Sequence, residues 1–204
     1  MMKTLWGYEI DSDGLPPMIT SVAFDEFTAG RFSGDVRIGK ELDAASSAIR
    51  NYVGWHLYPS ADCVLAMNLQ DRRVTRVGCD LLVQLPAKYV TEVEQVLIGT
   101  QEYEFTFEVN GILRIYDVSP AYCRRTVIAV SYTAGLTDEL MGDVAELVAH
   151  RVSHSLVSSY GVTNETAGGV SITYNANWVN SSRATALPDD NKEVLAPFRL
   201  QGVF

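Results

Sequence analysis

The sequence is poor in cysteine and contains no long apolar run. Its cysteines are Cys63, Cys79 and Cys123, an odd number without C-x-x-C spacing, which excludes a disulfide framework and a zinc knuckle. No stretch approaches the roughly 20 apolar residues that a membrane-spanning helix needs. Residues 1–10 also lack the unbroken apolar segment of a signal peptide. We therefore expect a protein that is made in a reducing cytosol and has no membrane partner.

Positive charge is also scarce. Sixteen lysines and arginines stand against 25 aspartates and glutamates, which gives a net charge of −9, whereas proteins that grip phosphates normally have the opposite balance. Tight binding of nucleic acid is therefore not expected. Apolar residues make up 47% and charged residues 20% of the 204 positions, which is typical of a globular chain and excludes a disordered one. The length suits one domain that carries an insertion.

Two regions have the periodicity of helices. In residues 20–58, Thr20 or Ser21 can cap a short helix that reaches Phe27, and a longer helix follows Asp35. The apolar stripe of that longer helix consists of Ile38, Leu42, Ala45, Ile49 and Tyr52. A second helical region begins near residue 137 and ends at residue 161. Its stripe consists of Leu140, Val144, Leu147, Val148, Val152 and Leu156.

Between these regions, residues 63–133 follow the period of two that is typical of strands. Residues 103–109 alternate between apolar and polar side chains almost without fault. Asn110-Gly111, the strongest short signal for a hairpin, separates them from a partner strand at 112–118. Five or six strands with short turns predict a small antiparallel sandwich or barrel.

The last 44 residues divide into two segments of different character. Residues 161–186 are rich in Gly, Ser, Thr and Asn and cannot pack alone. Within them lies a strand-like inter-subunit arm, which we expect to pair with a neighbouring copy. Its apolar positions are Val170, Ile172, Tyr174 and Trp178. Residues 187–204 begin with a short helix, capped by Asp190 with Glu193 and ended by Pro197, and finish in an apolar terminus.

These patterns predict an α+β protein. Its fold class would be a small α-helical bundle frame with an inserted antiparallel β-sandwich or barrel-like domain and an extended C-terminal arm. The predicted segments are the amino-terminal part of the frame at 1–59, the β domain at 60–134, the long helix at 135–160, the flexible polar arm at 161–186, and the short helix and tail at 187–204.

A search of the sequence for catalytic or metal-binding residues finds no convincing set. His150 and His154 lie four residues apart on one helix, as zinc ligands do, but no glutamate stands between them and no third ligand is evident. We therefore interpret both as half-exposed polar residues. His56, between Trp55 and Leu57, is interpreted as a packed histidine. We expect no enzymatic activity, no catalytic residue, no metal and no cofactor.

The one basic cluster consists of Arg72, Arg73 and Arg76. Two interpretations of it stay open. The simpler is a turn rimmed with solubilising charge, and the other is contact with an acidic partner or with passing DNA.

Five stretches then stand in a distinctive order along the chain. They are Ile19-Thr20 opening a short helix, DVRIGKELDAASSAIRNYVGWHLYPS at 35–60, VIAVSYTAGL at 127–136, DVAELVAHRVSHSLVSSYG at 143–161 and LPDDNKEVLAPFRL at 187–200. In this order they resemble the head–tail adaptor, or connector, proteins of long-tailed bacteriophages. The smallest members of that family resemble the helical parts alone, so the role of the β block at 60–134 cannot be carried over.

The resemblance implies a structural virion protein without catalysis, assembled in the host cytoplasm and located in the neck at the head–tail interface. About twelve copies would form a ring beneath the portal protein and extend the DNA channel. The ring would also dock the next neck protein, a stopper or tail component. Double-stranded DNA would pass through without tight binding, which suits the acidic charge.

The tail supplies the predicted portal-docking residues, and two interpretations of them stay open. In the first, Leu195 and Phe198 are buried anchors on the portal and Arg199 donates to a carboxylate. In the second, the tail packs against its own domain. The complete set of these residues is Val194, Leu195, Phe198, Arg199 and Leu200. An alternative function, from another class, is a ligand- or host-recognition module carried by the β domain.

Overall fold

The computed structural model describes residues 1–122, 126–157, 164–167, 170–173, 187 and 189–200. The chain divides into two compact units. The first, here called the sheet unit, contains Met1–Leu15 and Gly54–Asp138 together with Leu200. The second, the helical unit, contains Pro16–Val53 and Glu139–Arg199.

The described part of the sheet unit contains ten strands in two antiparallel sheets. The first sheet has the order β1-β2-β3-β10-β6-β7 and the second the order β4-β5-β9-β8. The strands are β1 Met2–Lys3, β2 Glu9–Ile10, β3 Ala61–Asn68, β4 Val74–Val77, β5 Asp80–Gln84, β6 Val90–Ile98, β7 Gln101–Glu102, β8 Phe105–Phe107, β9 Ile112–Ile115 and β10 Val127–Ala134.

The core of the sheet unit comes from one face of each sheet. Successive side chains of a strand point to opposite faces, so every second residue of β10 is buried, from Ile128 to Ala134. Strand β6 departs from the expected alternation. Its pairing with β10 contains two register shifts, and Val90, Val93 and Val96 are therefore buried at steps of three. The second sheet buries Leu81, Val83, Leu113 and Ile115.

The hairpin predicted at Asn110-Gly111 is confirmed, because β8 and β9 pair across this turn. Gly111 has a φ of +84°, a conformation that other residues adopt only with strain. A Cβ at this position would also collide with the backbone of Ala87. Glycine is thus required here for the turn and for the close approach of residue 87.

The helical unit contains α1 Ser21–Phe27, α2 Ile38–Val53, α3 Gly142–Val157 and α4 Asp189–Leu195, followed by a 3-10 turn at Ala196–Phe198. The Thr20 hydroxyl accepts the Ala23 amide at 3.1 Å, which confirms the predicted cap of α1. Helix α2 buries the predicted stripe residues Ile38, Leu42, Ala45 and Ile49. It packs against α3, and the Ser155 hydroxyl donates to Glu41 Oε2 at 2.7 Å between them.

The predicted fold class is wrong in its main feature. The chain mixes α and β, but most of its described structure is sheet, and its four short helices do not form a bundle frame around an insertion. Residues 1–15, assigned to the frame, contribute β1 and β2 to the first sheet. Helix α2 ends at Val53, before Gly54 with a φ of +83°. Residues Asp138–Leu140 form a 3-10 turn instead of the start of α3.

The polar segment 161–186, predicted as an extended arm, is described over two short strands. These are β11 Asn164–Ala167 and β12 Val170–Thr173, which pair with each other antiparallel. One edge of β12 thus pairs within its own chain, and pairing of these residues with a neighbouring copy stays a prediction. Tyr174 and Trp178 lie outside the described residues.

Candidate functional site

A cavity of about 770 Å³ opens in the sheet unit. This size is within the range of small-molecule and peptide-side-chain pockets. Four loops, the end of β5 and the start of β9 form its wall, and Leu200 completes it. The residues that line it are Leu5, Trp6, Gly7, Asp71, Arg72, Arg73, Gln84, Leu85, Pro86, Lys88, Asn110, Ile112 and Leu200. We call this cavity the basic pocket.

A bidentate ion pair holds one side of the basic pocket in place. Arg73 Nε and Nη2 donate to the two carboxylate oxygens of Asp71, both at 2.9 Å, and the Arg73 amide donates to the same carboxylate at 3.0 Å. These hydrogen bonds lower the pKa of Asp71 below its ordinary value of 3.8. The carboxylate therefore stays ionised well into acid, and the loop before β4 keeps its shape.

The tight turn between β1 and β2 carries the apolar side of the basic pocket. The Thr4 hydroxyl donates to the Tyr8 carbonyl at 2.7 Å, and Gly7 has a φ of +87°. Trp6 stacks on Tyr8 with 6.3 Å between the ring centroids. Leu5 stands at the tip of the turn with 92% of its surface exposed. Leu5 and Trp6 thus give the basic pocket an apolar rim.

The charge of the basic pocket is opposite to that of the chain. Three cations, Arg72, Arg73 and Lys88, stand against one carboxylate, Asp71, in a protein whose net charge is −9. The pocket therefore suits an occupant with an acidic group and an apolar part. Its lining contains no Ser, Cys or His, and its one carboxylate is already bound by Arg73. The described lining thus contains charged and apolar groups that can recognise a ligand, but no nucleophile paired with a base.

Two of the three arginines in the basic cluster noted in the sequence line the basic pocket. Arg72 is exposed and Arg73 half-buried, and both line the basic pocket. Arg76 lies further on, in β4, and its Nη1 donates to the Val118 carbonyl at 2.9 Å. Two arginines of the cluster therefore line the basic pocket, and the third lies in β4 of the second sheet.

The predicted portal-docking residues have different environments. Leu195 is fully buried and Leu200 is 8% exposed, so their burial fits the second reading, in which the tail packs against its own chain. The guanidinium of Arg199 lies over the Tyr52 ring, 5.2 Å from its centroid. Val194 is 41% exposed and Phe198 is half-buried. Val194 and Arg199 are thus the exposed members of the set.

The histidines considered as zinc ligands lie on α3. Burial, and then the neighbouring His150, lower the pKa of His154. Across the described residues, no group of three or more His, Cys, Asp or Glu side chains is placed to hold a metal ion.

The described residues include no helix that is long and apolar enough to cross a bilayer.

Sequence reasoning did not assemble the basic pocket. Trp6, Gln84, Lys88 and Asn110 come from distant parts of the chain, and only Asn110 carried a recognisable local signal, that of a turn. The arginine cluster was the single feature that pointed to this place.

His56 is a packed histidine, as expected. It is fully buried, its Nε2 lies 2.9 Å from the Ala134 carbonyl and its Nδ1 lies 2.7 Å from the Tyr8 hydroxyl. These contacts are structural and lie away from the lining of the basic pocket.

The chain was also compared with known proteins. Neither the comparison with established protein families nor that with curated proteins finds a match.

Proposed function

We propose that this chain is a structural protein of a bacteriophage neck, a head–tail adaptor that forms a ring beneath the portal. The ring would extend the DNA channel and dock the next neck or tail protein. The proposal begins from the resemblance carried by the order of the five stretches described above. It assigns the chain no catalytic step and no cofactor.

One observation supports this proposal most. Three stretches that carry the resemblance, 35–60, 143–161 and 187–200, lie far apart in sequence, yet α2, α3 and α4 within them belong to one compact unit. Helix α3 contacts both α2 and α4. The Tyr52 hydroxyl at the end of α2 donates to the Lys192 carbonyl in α4 at 3.4 Å. The Arg199 guanidinium lies over the ring of the same tyrosine. Three stretches that carry the resemblance at distant positions in the sequence therefore contribute helices to the same compact unit.

A direct test is to locate the chain in purified virions. We expect quantitative mass spectrometry to give about one copy per portal subunit, consistent with a closed ring. Gold-labelled antibody against the chain should decorate the neck in particles whose tails have been removed, and the portal-distal end of the tail should stay unlabelled. Absence of the chain from virions, or its presence only at the tail tip, would overturn the adaptor role.

A second candidate function has its own supporting observation. The basic pocket combines exposed apolar side chains with cations, which favours a recognition module that binds an acidic, apolar ligand. The pocket is built from residues 5–7 and 200 as well as from the β block. The whole chain, and not residues 60–134 alone, is therefore the unit to test.

Binding of a short acidic peptide tests this second function. The probe is acetyl-Asp-Phe-Asp-Leu-amide, measured by isothermal titration against the full chain, with acetyl-Lys-Phe-Lys-Leu-amide as the control peptide. Arg72→Ala should weaken binding of the acidic peptide about tenfold, the loss expected for one charge-assisted contact. Lys3→Ala removes the same charge from β1, outside the pocket, and should leave the affinity unchanged. Equal binding of both peptides, or of neither, would contradict the recognition function.

A further inference from the structure

Strand β4 is an open edge of the second sheet. Its four residues, Val74–Val77, pair with β5 alone. The opposite margin, β8, instead lies along the first sheet. There the Tyr103 amide donates to the Val96 carbonyl and the Val90 amide donates to the Val109 carbonyl, each at 3.1 Å. The β4 side is therefore the margin of this sheet at which another strand can be added.

The backbone of Arg76 faces the open side of β4. The Gln84 amide donates to the Arg73 carbonyl at 2.9 Å, so residue 73 and every second residue after it face β5. The N–H and C=O of Arg76 point the other way and pair with no backbone group among the described residues. The Val74 carbonyl points the same way, whereas the Val74 amide donates to the Asp71 carbonyl. An incoming strand can thus exchange hydrogen bonds with Arg76 and donate one to Val74.

The side chains of this edge are exposed to solvent. Thr75 and Arg76 are exposed, and Val77 is 49% exposed. A charged side chain on an edge strand discourages unselective pairing. A strand that adds to β4 must therefore bring a charge that complements the edge.

The charge along the β4 edge is positive. Residues 72–77 contain three arginines and no acidic residue, and both Arg72 and Arg76 are exposed. The acidic residue of the neighbouring strand β5, Asp80, is bound by Arg114 at 2.7 Å. Its carboxylate is thus engaged on the β9 side of the sheet. A partner strand that carries carboxylates complements this edge.

The basic pocket lies at one end of the β4 edge. Arg72 and Arg73 line the pocket and immediately precede the first residue of β4. Antiparallel pairing is the more stable kind. A strand that adds antiparallel to β4 runs from the Val77 end toward residues 72 and 73, and its carboxyl-terminal part arrives at the pocket. Edge and pocket therefore form one continuous surface of the sheet unit.

From these observations we infer that the β4 edge and the basic pocket together bind an extended acidic segment of a partner protein, which adds to the second sheet antiparallel to β4. The partner residue opposite Arg76 is acidic, and the one opposite Val74, which is half-buried, is apolar. The residues that follow place acidic and apolar side chains in the pocket. The inference rests on the recognition function proposed above, and it adds backbone pairing at a second surface.

A longer peptide tests the contribution of the edge. The probe is acetyl-Asp-Thr-Leu-Thr-Asp-Phe-Asp-Leu-amide, whose last four residues are the acidic pocket peptide described above. Isothermal titration against the full chain should show that it binds at least about tenfold more tightly than the pocket peptide, because its first half adds hydrogen bonds and a charge pair. Equal affinities would overturn strand addition and leave the recognition function standing. Failure of both peptides to bind would overturn the two proposals together.

Methylated forms of the long peptide test the backbone pairing directly. An N-methyl group on its first leucine removes the N–H that faces the Val74 carbonyl and should weaken binding about tenfold. The same group on the threonine before that leucine points away from β4 and should leave the affinity nearly unchanged. The two peptides have identical composition. Equal effects from the two methyl groups would contradict an antiparallel strand in this register.

Residue-resolved hydrogen exchange locates the added strand. The Arg76 amide should exchange more slowly when the long peptide is bound, whereas the Thr75 amide, which already faces β5, should not change. An unchanged Arg76 amide in the bound state would overturn the inference. Protection of that amide that rises with protein concentration in the absence of peptide would also overturn it, because another copy of the chain would then cover β4.

A variant of Arg76 separates the edge from the basic pocket. Arg76 is absent from the pocket lining, so Arg76→Ala should weaken binding of the long peptide about tenfold and leave binding of the pocket peptide unchanged. Unchanged pocket binding also reports that the variant is folded. Lys3→Ala, which removes a charge from β1, is the control and should alter neither affinity. Equal losses for both peptides in Arg76→Ala would contradict the assignment of the edge as a separate surface.

Discussion

Replacement of His56 by alanine is expected to lower the free energy of unfolding of the sheet unit by about 3–5 kcal/mol. His56 is fully buried and Tyr8 is 1% exposed. The Ala134 carbonyl can only accept, so His56 Nε2 donates to it at 2.9 Å. In the neutral imidazole Nδ1 then accepts from the Tyr8 hydroxyl at 2.7 Å. The substitution leaves a cavity and removes the partner of two buried polar groups.

Urea unfolding followed by far-ultraviolet circular dichroism measures this effect. Tyr8→Phe should cost less, about 1–3 kcal/mol, because it keeps the packing and removes only the hydroxyl. That hydroxyl oxygen also accepts the His56 amide at 3.1 Å. Tyr132→Phe is the matched control, since Tyr132 is equally buried and its hydroxyl has no nitrogen or oxygen partner within the described chain, only the weakly hydrogen-bonding Cys63 thiol. A Tyr132→Phe loss as large as that of Tyr8→Phe would contradict the importance of the network.

The elements predicted correctly from the sequence are those whose signals are local. The cap at Thr20, the stripe of α2 and the turn at Asn110-Gly111 each depend on residues within a few positions of one another. The first sheet could not be predicted in the same way. Residue Glu9 pairs with Val64, and nothing in two short strands near the amino terminus indicates a partner so far along the chain. Residues 1–15 were consequently assigned to the helical frame.

The basic pocket shows the same limit. Arg72 and Arg73 were noticed because they are adjacent in sequence, but Trp6, Lys88 and Asn110 join them only through the folded loops.

Leu195→Ala is expected to lower the free energy of unfolding of the helical unit by about 2–5 kcal/mol. The sequence offered Leu195 as an anchor on the portal, but its side chain is fully buried in the chain and α4 packs against α3. Truncation therefore leaves a cavity within the protein itself. Urea unfolding followed by circular dichroism at 222 nm, with the helices as the reporter, measures the loss. A change below about 0.5 kcal/mol would show that Leu195 is not a core residue.

The neighbouring residue separates folding from docking. Val194 is 41% exposed on the same helix, so Val194→Asp should change stability by no more than about 0.5 kcal/mol. If α4 docks on the portal, the new charge at the interface should reduce co-sedimentation with purified portal rings about tenfold or more. Val157→Asp, at a 38% exposed position at the end of α3, is the control for a surface charge elsewhere in the unit. Equal binding by both variants would place the portal contact away from α4, because only one of the two charges lies on the proposed docking helix.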